Sequence, residues 1–137
     1  MLGLQQVTDT VTIVVQAARS APEFIEPGPG DTLHTYHEYG FRVVWWEDPA
    51  YDWWDMPDPL ALEFSPDSGA TWGPPPWDTL SMPLAGEIYS TPGVNHRYWP
   101  PVPPAFGTPP LENCFLRFMR NGDVVAVSGR FVLRTGP

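Results

Sequence analysis

The sequence predicts an all-β domain, an antiparallel sandwich of short strands, and three observations carry that reading. Pro and Gly are dense, 19 and 12 among 137 residues, which leaves little room for long helices and favours strands joined by turns. Several runs alternate apolar and polar residues with the period of two that a half-buried strand requires. Hydrophobic residues make up 42% of the chain, including 7 Trp, 7 Phe and 5 Tyr, enough apolar area for a packed core despite the prolines. The length suits one domain, and residues 1–137 are read as a single unit.

Taken in order, Thr8 to Gln16 (TDTVTIVVQ) is rich in β-branched residues and reads as a first strand. Residues 20 to 31 (SAPEFIEPGPGD) read as turn-forming. TLHTYHEYGFRVVWW, residues 32 to 46, holds one or two strands, with Phe41, Val43 and Trp45 on one face and Arg42, Val44 and Trp46 on the other. In residues 60 to 65, Leu60, Leu62 and Phe64 share a face opposite Ala61 and Glu63. Weaker strands are expected over Thr79 to Leu84 and Glu87 to Ser90. NCFLRFMR, Asn121-Gly122 and DVVAVS predict a β-hairpin closed by a type I′ turn, with Cys114, Leu116 and Phe118 inward and Arg117 and Met119 on the other face. Ser128-Gly129 then breaks or bulges the strand before RFVLRT. Most of the prolines fall between Pro49 and Pro110, so residues 47–58 and 99–110 are expected as long, stiff, Pro/Trp-rich loops.

Charge and cysteine content exclude several classes. Sixteen acids against seven bases give a net charge of −9, which opposes binding to nucleic acid by phosphate neutralisation. Every base is Arg. The single cysteine, Cys114, permits no intrachain disulfide and is expected to be an inert core residue. The N-terminal stretch has neither a basic region nor a small-residue cleavage site, so it is not expected to be a signal peptide, and no apolar run reaches membrane-spanning length.

Ser65-Pro66-Asp67-Ser68-Gly69-Ala70-Thr71-Trp72 matches the S-x-D-x-G-x-T-W pattern of an Asp-box. Its logic is local and structural: Ser65 and Asp67 bond turn amides, Gly69 takes a positive φ and Trp72 packs beneath the hairpin. The context, LALEFSPDSGATW and later CFLRFMRNGDVVAVSGRFVLRT, resembles immunoglobulin-like domains. These are found in cell-wall and secreted proteins, including the Ser-Thr-rich glycosylphosphatidylinositol-anchored cell-wall family, and in modules on bacteriophage particles. The resemblance covers residues 59 to 135 and implies an immunoglobulin-like antiparallel β-sandwich. Unlike the cell-wall relatives, the chain is expected to carry no signal peptide, lipid-anchor tail or Ser/Thr-rich stalk.

No constellation for catalysis stands out. His34, His37, Glu38 and His96 are the candidates for imidazole chemistry, but positions three apart on a strand face opposite sides and there is no metal-ligand spacing. Asp52, Asp55 and Asp58 match no EF-hand loop, and Glu63 with Asp67 does not make a glycosidase pair. The expectation is therefore not an enzyme, with no cofactor and no metal. Loop aromatics make good anchors because stiff loops lose little entropy on binding. Tyr51, Trp53, Trp54, Trp77, Tyr98 and Trp99 are the candidate partner-binding residues. The function expected is a structural virion subunit, made in the host cytoplasm and carried on the virion surface as a phage capsid decoration protein. Its partners would be the coat-protein lattice or copies of itself. The alternative is a carbohydrate-binding module whose exposed aromatics stack on glycans.

Overall fold

The computed structural model describes residues 20–49, 58–78 and 84–136. Among them the fold is all-β, with eight strands: β1 (Glu23–Glu26), β2 (Thr32–His34), β3 (Phe41–Glu47), β4 (Ala61–Ser65), β5 (Gly93–Trp99), β6 (Leu111–Arg120), β7 (Asp123–Val127) and β8 (Phe131–Arg134). One sheet has the order β1-β3-β5. The other runs β2-β8-β6-β4, with β7 also on β6. The two sheets pack face to face around one core, a β-sandwich.

Strand alternation builds that core. Phe41, Val43 and Trp45 from β3 face Leu62 and Phe64 from β4, Cys114, Leu116 and Phe118 from β6, and Phe131 and Leu133 from β8. Phe24 of β1 stacks on Phe118 with ring centres 4.5 Å apart and planes 3° from parallel, and Trp45 meets Phe118 edge-on at 5.1 Å. The Trp45 indole N–H donates to Ser90 Oγ at 2.9 Å, so this core indole keeps its polar atom satisfied. Leu60 is buried as predicted, and Val44 is also buried, at 4% exposure, although it points away from the core.

The hairpin of β6 and β7 turns at Asn121 and Gly122, whose φ values of 53° and 81° are the left-handed pair a type I′ turn needs. Beyond it, Ser128 spans the break before β8. Its N–H donates to Leu116 O at 2.8 Å and its Oγ accepts from Leu116 N at 2.9 Å, so the ladder to β6 continues. Gly129 is required there because a Cβ would lie 2.6 Å from the Pro29 ring.

Four expectations are corrected. Residues 23 to 26 form β1 where turns were expected; this EFIE segment pairs with β3 across a bulge between Phe24 and Glu26. β5 was not foreseen because its pattern is inverted, with Val94 and Tyr98 facing solvent and Asn95 facing inward. The buried Asn95 is tolerated because Thr91 N–H donates to its Oδ1 and its amide donates to Thr91 O and Gly93 O. Over Glu87 to Ser90 only Ile88 pairs, in an isolated bridge with Leu60. Finally, not every pairing is antiparallel: β2 runs parallel to β8, Leu33 opposite Leu133. The strand expected at Thr8 to Gln16, and residues 79–83 of the one expected at Thr79 to Leu84, lie outside the described residues.

Candidate functional site

The outer face of the three-stranded sheet gathers side chains that the core does not use. Because β3 buries Phe41, Val43 and Trp45, it turns Arg42, Val44 and Trp46 outward. Register with β5 sets Arg42 opposite Tyr98, Val44 opposite His96 and Trp46 opposite Val94. Tyr98 is 58% exposed and Val94 55%, and the rings of His96 and Tyr98 lie nearly parallel with centres 6.0 Å apart.

β1 contributes an acid to this face. Glu26 accepts from Arg42 Nε at 3.0 Å and from Arg42 Nη2 at 3.2 Å, the two-bond fork that guanidinium and carboxylate geometry favour. The Glu26 carboxylate, and after it the Tyr98 hydroxyl, push the Arg42 pKa above its ordinary value. The turn before β3 then closes one side. Tyr39 N–H donates to His37 Nδ1 at 3.3 Å, and the Tyr39 ring is 83% exposed. Gly40 follows at φ 79°, where a Cβ would lie 2.3 Å from Trp99 O, so only glycine lets this turn sit against the end of β5. Between the turn and the sheet lies a depression of about 390 Å³ lined by His37, Tyr39, Gly40, Phe41, Arg42 and Tyr98.

Of the aromatic residues singled out in the sequence, Tyr98 is the one that lies on this face among the described residues; Tyr51, Trp53 and Trp54 lie outside them. Trp77 and Trp99 are corrected: each is only 2% exposed and belongs to the core. Trp99 ends β5, with its indole N–H donating to Asp78 Oδ1 at 3.0 Å, and Trp77 packs edge-on against Phe41 and Phe64 at 5.1 and 5.6 Å. Side chains so enclosed present no surface to a partner. Tyr39, Arg42 and Glu26 were missed, since nothing in their sequence spacing shows that a strand register will bring them together.

Ser65, Asp67, Gly69 and Trp72 form a hydrogen-bonded turn at the end of β4, away from this face. Gly69 N–H donates to Ser65 Oγ at 2.8 Å, Ser65 O–H to Asp67 Oδ1 at 2.7 Å and Thr71 N–H to Asp67 Oδ1 at 2.9 Å. Trp72 donates its indole N–H to Gly69 O at 3.1 Å, and the Arg117 guanidinium carbon lies 4.2 Å from its ring centre. Bonds from the Thr71 side chain, the Thr71 amide and Ser65 pull the Asp67 pKa from 3.8 down to about 2. A carboxylate held below its unfolded value stabilises the turn fully above pH 3.8 and loses that contribution as the pH falls through about 2. Amide exchange at Thr71 and Gly69, taken relative to the intrinsic rate at each pH, is therefore expected to accelerate between those limits. In Asp67→Asn the same acceleration should be absent; a pH response unchanged by that substitution would assign the effect to another group.

Burial pushes the Cys114 thiol up to about 11, which leaves little thiolate at neutral pH. Labelling of the folded protein by iodoacetamide at pH 7.5 should be at least ~100-fold slower than in urea, where the thiol returns to its ordinary range. Labelling at the unfolded rate without urea would show that β6 opens. Among the described residues, no group of three or more His, Cys, Asp or Glu is placed to hold a metal ion.

Fold and surface together describe a β-sandwich with one polar-aromatic sheet face. The chain matches no known protein family, no curated protein and no solved structure.

Proposed function

We propose that the protein is a binding and assembly subunit of immunoglobulin-like type, a capsid decoration protein carried on the surface of a virus particle and made in the host cytoplasm. The observation that supports this reading most is the exposure of Tyr39, Val94 and Tyr98 on one side of the sandwich, where large apolar side chains serve contact with a partner better than they serve the fold. Phe106, 77% exposed in the proline-rich stretch between β5 and β6, adds a further aromatic contact. The net charge of −9 suits contact with a protein lattice and opposes contact with packaged nucleic acid. The Ser65–Trp72 turn is read as an Asp-box with a structural role. Trp53 and Trp54, adjacent aromatics in a proline-bounded stretch, are further anchors.

The test is co-sedimentation with shells assembled from the coat protein of the same genome. Saturable attachment is expected, weakened at least ~10-fold by Tyr98→Ala or Trp54→Ala while each variant stays folded. Failure to attach to assembled shells at micromolar concentrations would overturn the assignment. Light scattering across a concentration series separates a closed homo-oligomer from a subunit that is monomeric until it meets the shell.

A second reading, a carbohydrate-binding module, is favoured by one specific observation. The Arg42–Glu26 fork lies beside two exposed tyrosine rings, an arrangement that a purely protein-binding surface does not require.

A further inference from the structure

We infer that the depression between Tyr39 and Tyr98 is a binding site for a neutral pyranose, with the sugar ring stacked on Tyr98 and its hydroxyls read by Arg42, whose charge Glu26 balances from the β1 side. This inference rests on the carbohydrate reading of the same face and is independent of the virion reading.

A pyranose has two recognition features, a patch of C–H groups on one ring face and a rim of hydroxyls that both donate and accept. The first needs an exposed aromatic ring held in place. Tyr98 is 58% exposed, and its position is set by the β5 ladder beneath it and by the near-parallel His96 ring beside it. Tyr39, 83% exposed, stands on the opposite side of the depression in a turn whose shape Gly40 fixes against Trp99 O. Ligand binding here has little backbone order left to impose.

The hydroxyl rim needs donors and acceptors side by side. A guanidinium has five N–H donors; Glu26 engages Nε and Nη2 through one bond each and the Tyr98 hydroxyl engages another, which still leaves donors of Arg42 for a ligand. The hydroxyls of Tyr39 and Tyr98, which line the depression with Arg42, can each donate and accept, so donating and accepting groups stand side by side there. The Arg42–Glu26 pair is also electrically balanced. An anionic ligand would meet the Glu26 carboxylate and the field of a chain at −9, and a cationic one would meet Arg42. A neutral polyol matches both. The depression of about 390 Å³ lies within the range of about 300–1,000 Å³ usual for small-molecule sites.

The experiment is a titration of the ¹⁵N-labelled protein with the methyl glycosides of glucose, galactose and mannose, followed by amide chemical shifts. Each sugar is taken to ~50 mM, well above the dissociation constant on the order of 1 mM expected of so small a ligand. For at least one sugar, saturable shifts are expected at Tyr39, Arg42 and Tyr98. Tyr98→Ala should weaken binding at least ~10-fold through loss of the stacking ring. Arg42→Lys, which keeps the charge but not the fork, should weaken it several-fold. Tyr89→Ala removes an equally exposed tyrosine that does not line the depression and should change nothing. The spectrum of each variant reports whether it is folded. Absence of saturable shifts with all three sugars would overturn both this site and the carbohydrate reading. Saturable shifts elsewhere, or shifts that survive in folded Tyr98→Ala, would overturn this site while leaving the broader reading in place.

Discussion

Phe118→Ala is expected to lower unfolding stability by about 3–5 kcal/mol, read as a shift of the urea midpoint at constant slope. The ring is fully buried at the centre of the sandwich and holds the two sheets together through unlike contacts: face to face with Phe24 of β1 and edge to face with Trp45 of β3. Truncation removes a large transfer free energy and leaves a cavity between two sheets whose ladders keep them from collapsing into it. Phe118→Leu keeps much of the volume and is expected to cost less than half as much. A double-mutant cycle with Phe24→Ala should show a coupling of about 0.5–1.5 kcal/mol, the added worth of a stacked pair. A loss under 1 kcal/mol for Phe118→Ala would mean that the two sheets do not meet as described.

Arg120→Ala is expected to cost about 3–5 kcal/mol, as measured when one member of a buried ion pair is removed. Glu47 at the end of β3 is fully buried; its Oε1 accepts from Arg120 Nη2 at 2.5 Å, and its Oε2 has no hydrogen-bond partner among the described residues. Without Arg120 that carboxylate is left without its counter-charge in an environment that already fails to satisfy one oxygen. Arg120 Nε also donates to Asp58 O at 2.8 Å, and Asn121 Nδ2 donates to Asp58 Oδ2 at 2.5 Å, so the same substitution loosens the β6–β7 hairpin from the chain entering β4. Replacing both partners, Glu47→Leu with Arg120→Met, should recover most of the loss, since the pair's desolvation cost disappears with it. If Arg120→Ala were as stable as the parent, Glu47 would have to be reached by solvent.

These two sites differ in how far the sequence announced them. The alternation of Cys114, Leu116 and Phe118, of Leu60, Leu62 and Phe64, and of Phe41, Val43 and Trp45 is a direct record of burial, because a strand with one face inward must repeat every second residue. Asn121-Gly122 was equally legible, since few other residue pairs accept two positive φ angles in succession. β5 was hidden because it inverts the rule, placing Asn95 inside and Val94 and Tyr98 outside, and only the local bonds to Thr91 make that inversion acceptable. Trp77 and Trp99 misled for a related reason: neighbouring prolines suggested loop tips, whereas Trp99 closes a strand and Trp77 lies beneath it. The Arg42–Glu26 pair was the least legible element. It depends on where β1 joins β3 and on the bulge after Phe24, a shift of register that no single-residue preference encodes.

The parallel pairing of β2 with β8 has a consequence for biosynthesis. Thr32, Leu33 and His34 find their ladder partners at Val132, Leu133 and Arg134, so this seam joins segments separated by most of the chain. Parallel seams of such long range form slowly, because the intervening loop must be closed before any contact rewards it. On the ribosome, β2 must wait until β8 has left the exit tunnel, and until then its hydrogen-bonding groups stand open to other strands or to chaperones. Folding of this sheet is thus completed only once β8 has emerged, whatever the speed at which the β6–β7 hairpin closes on its own.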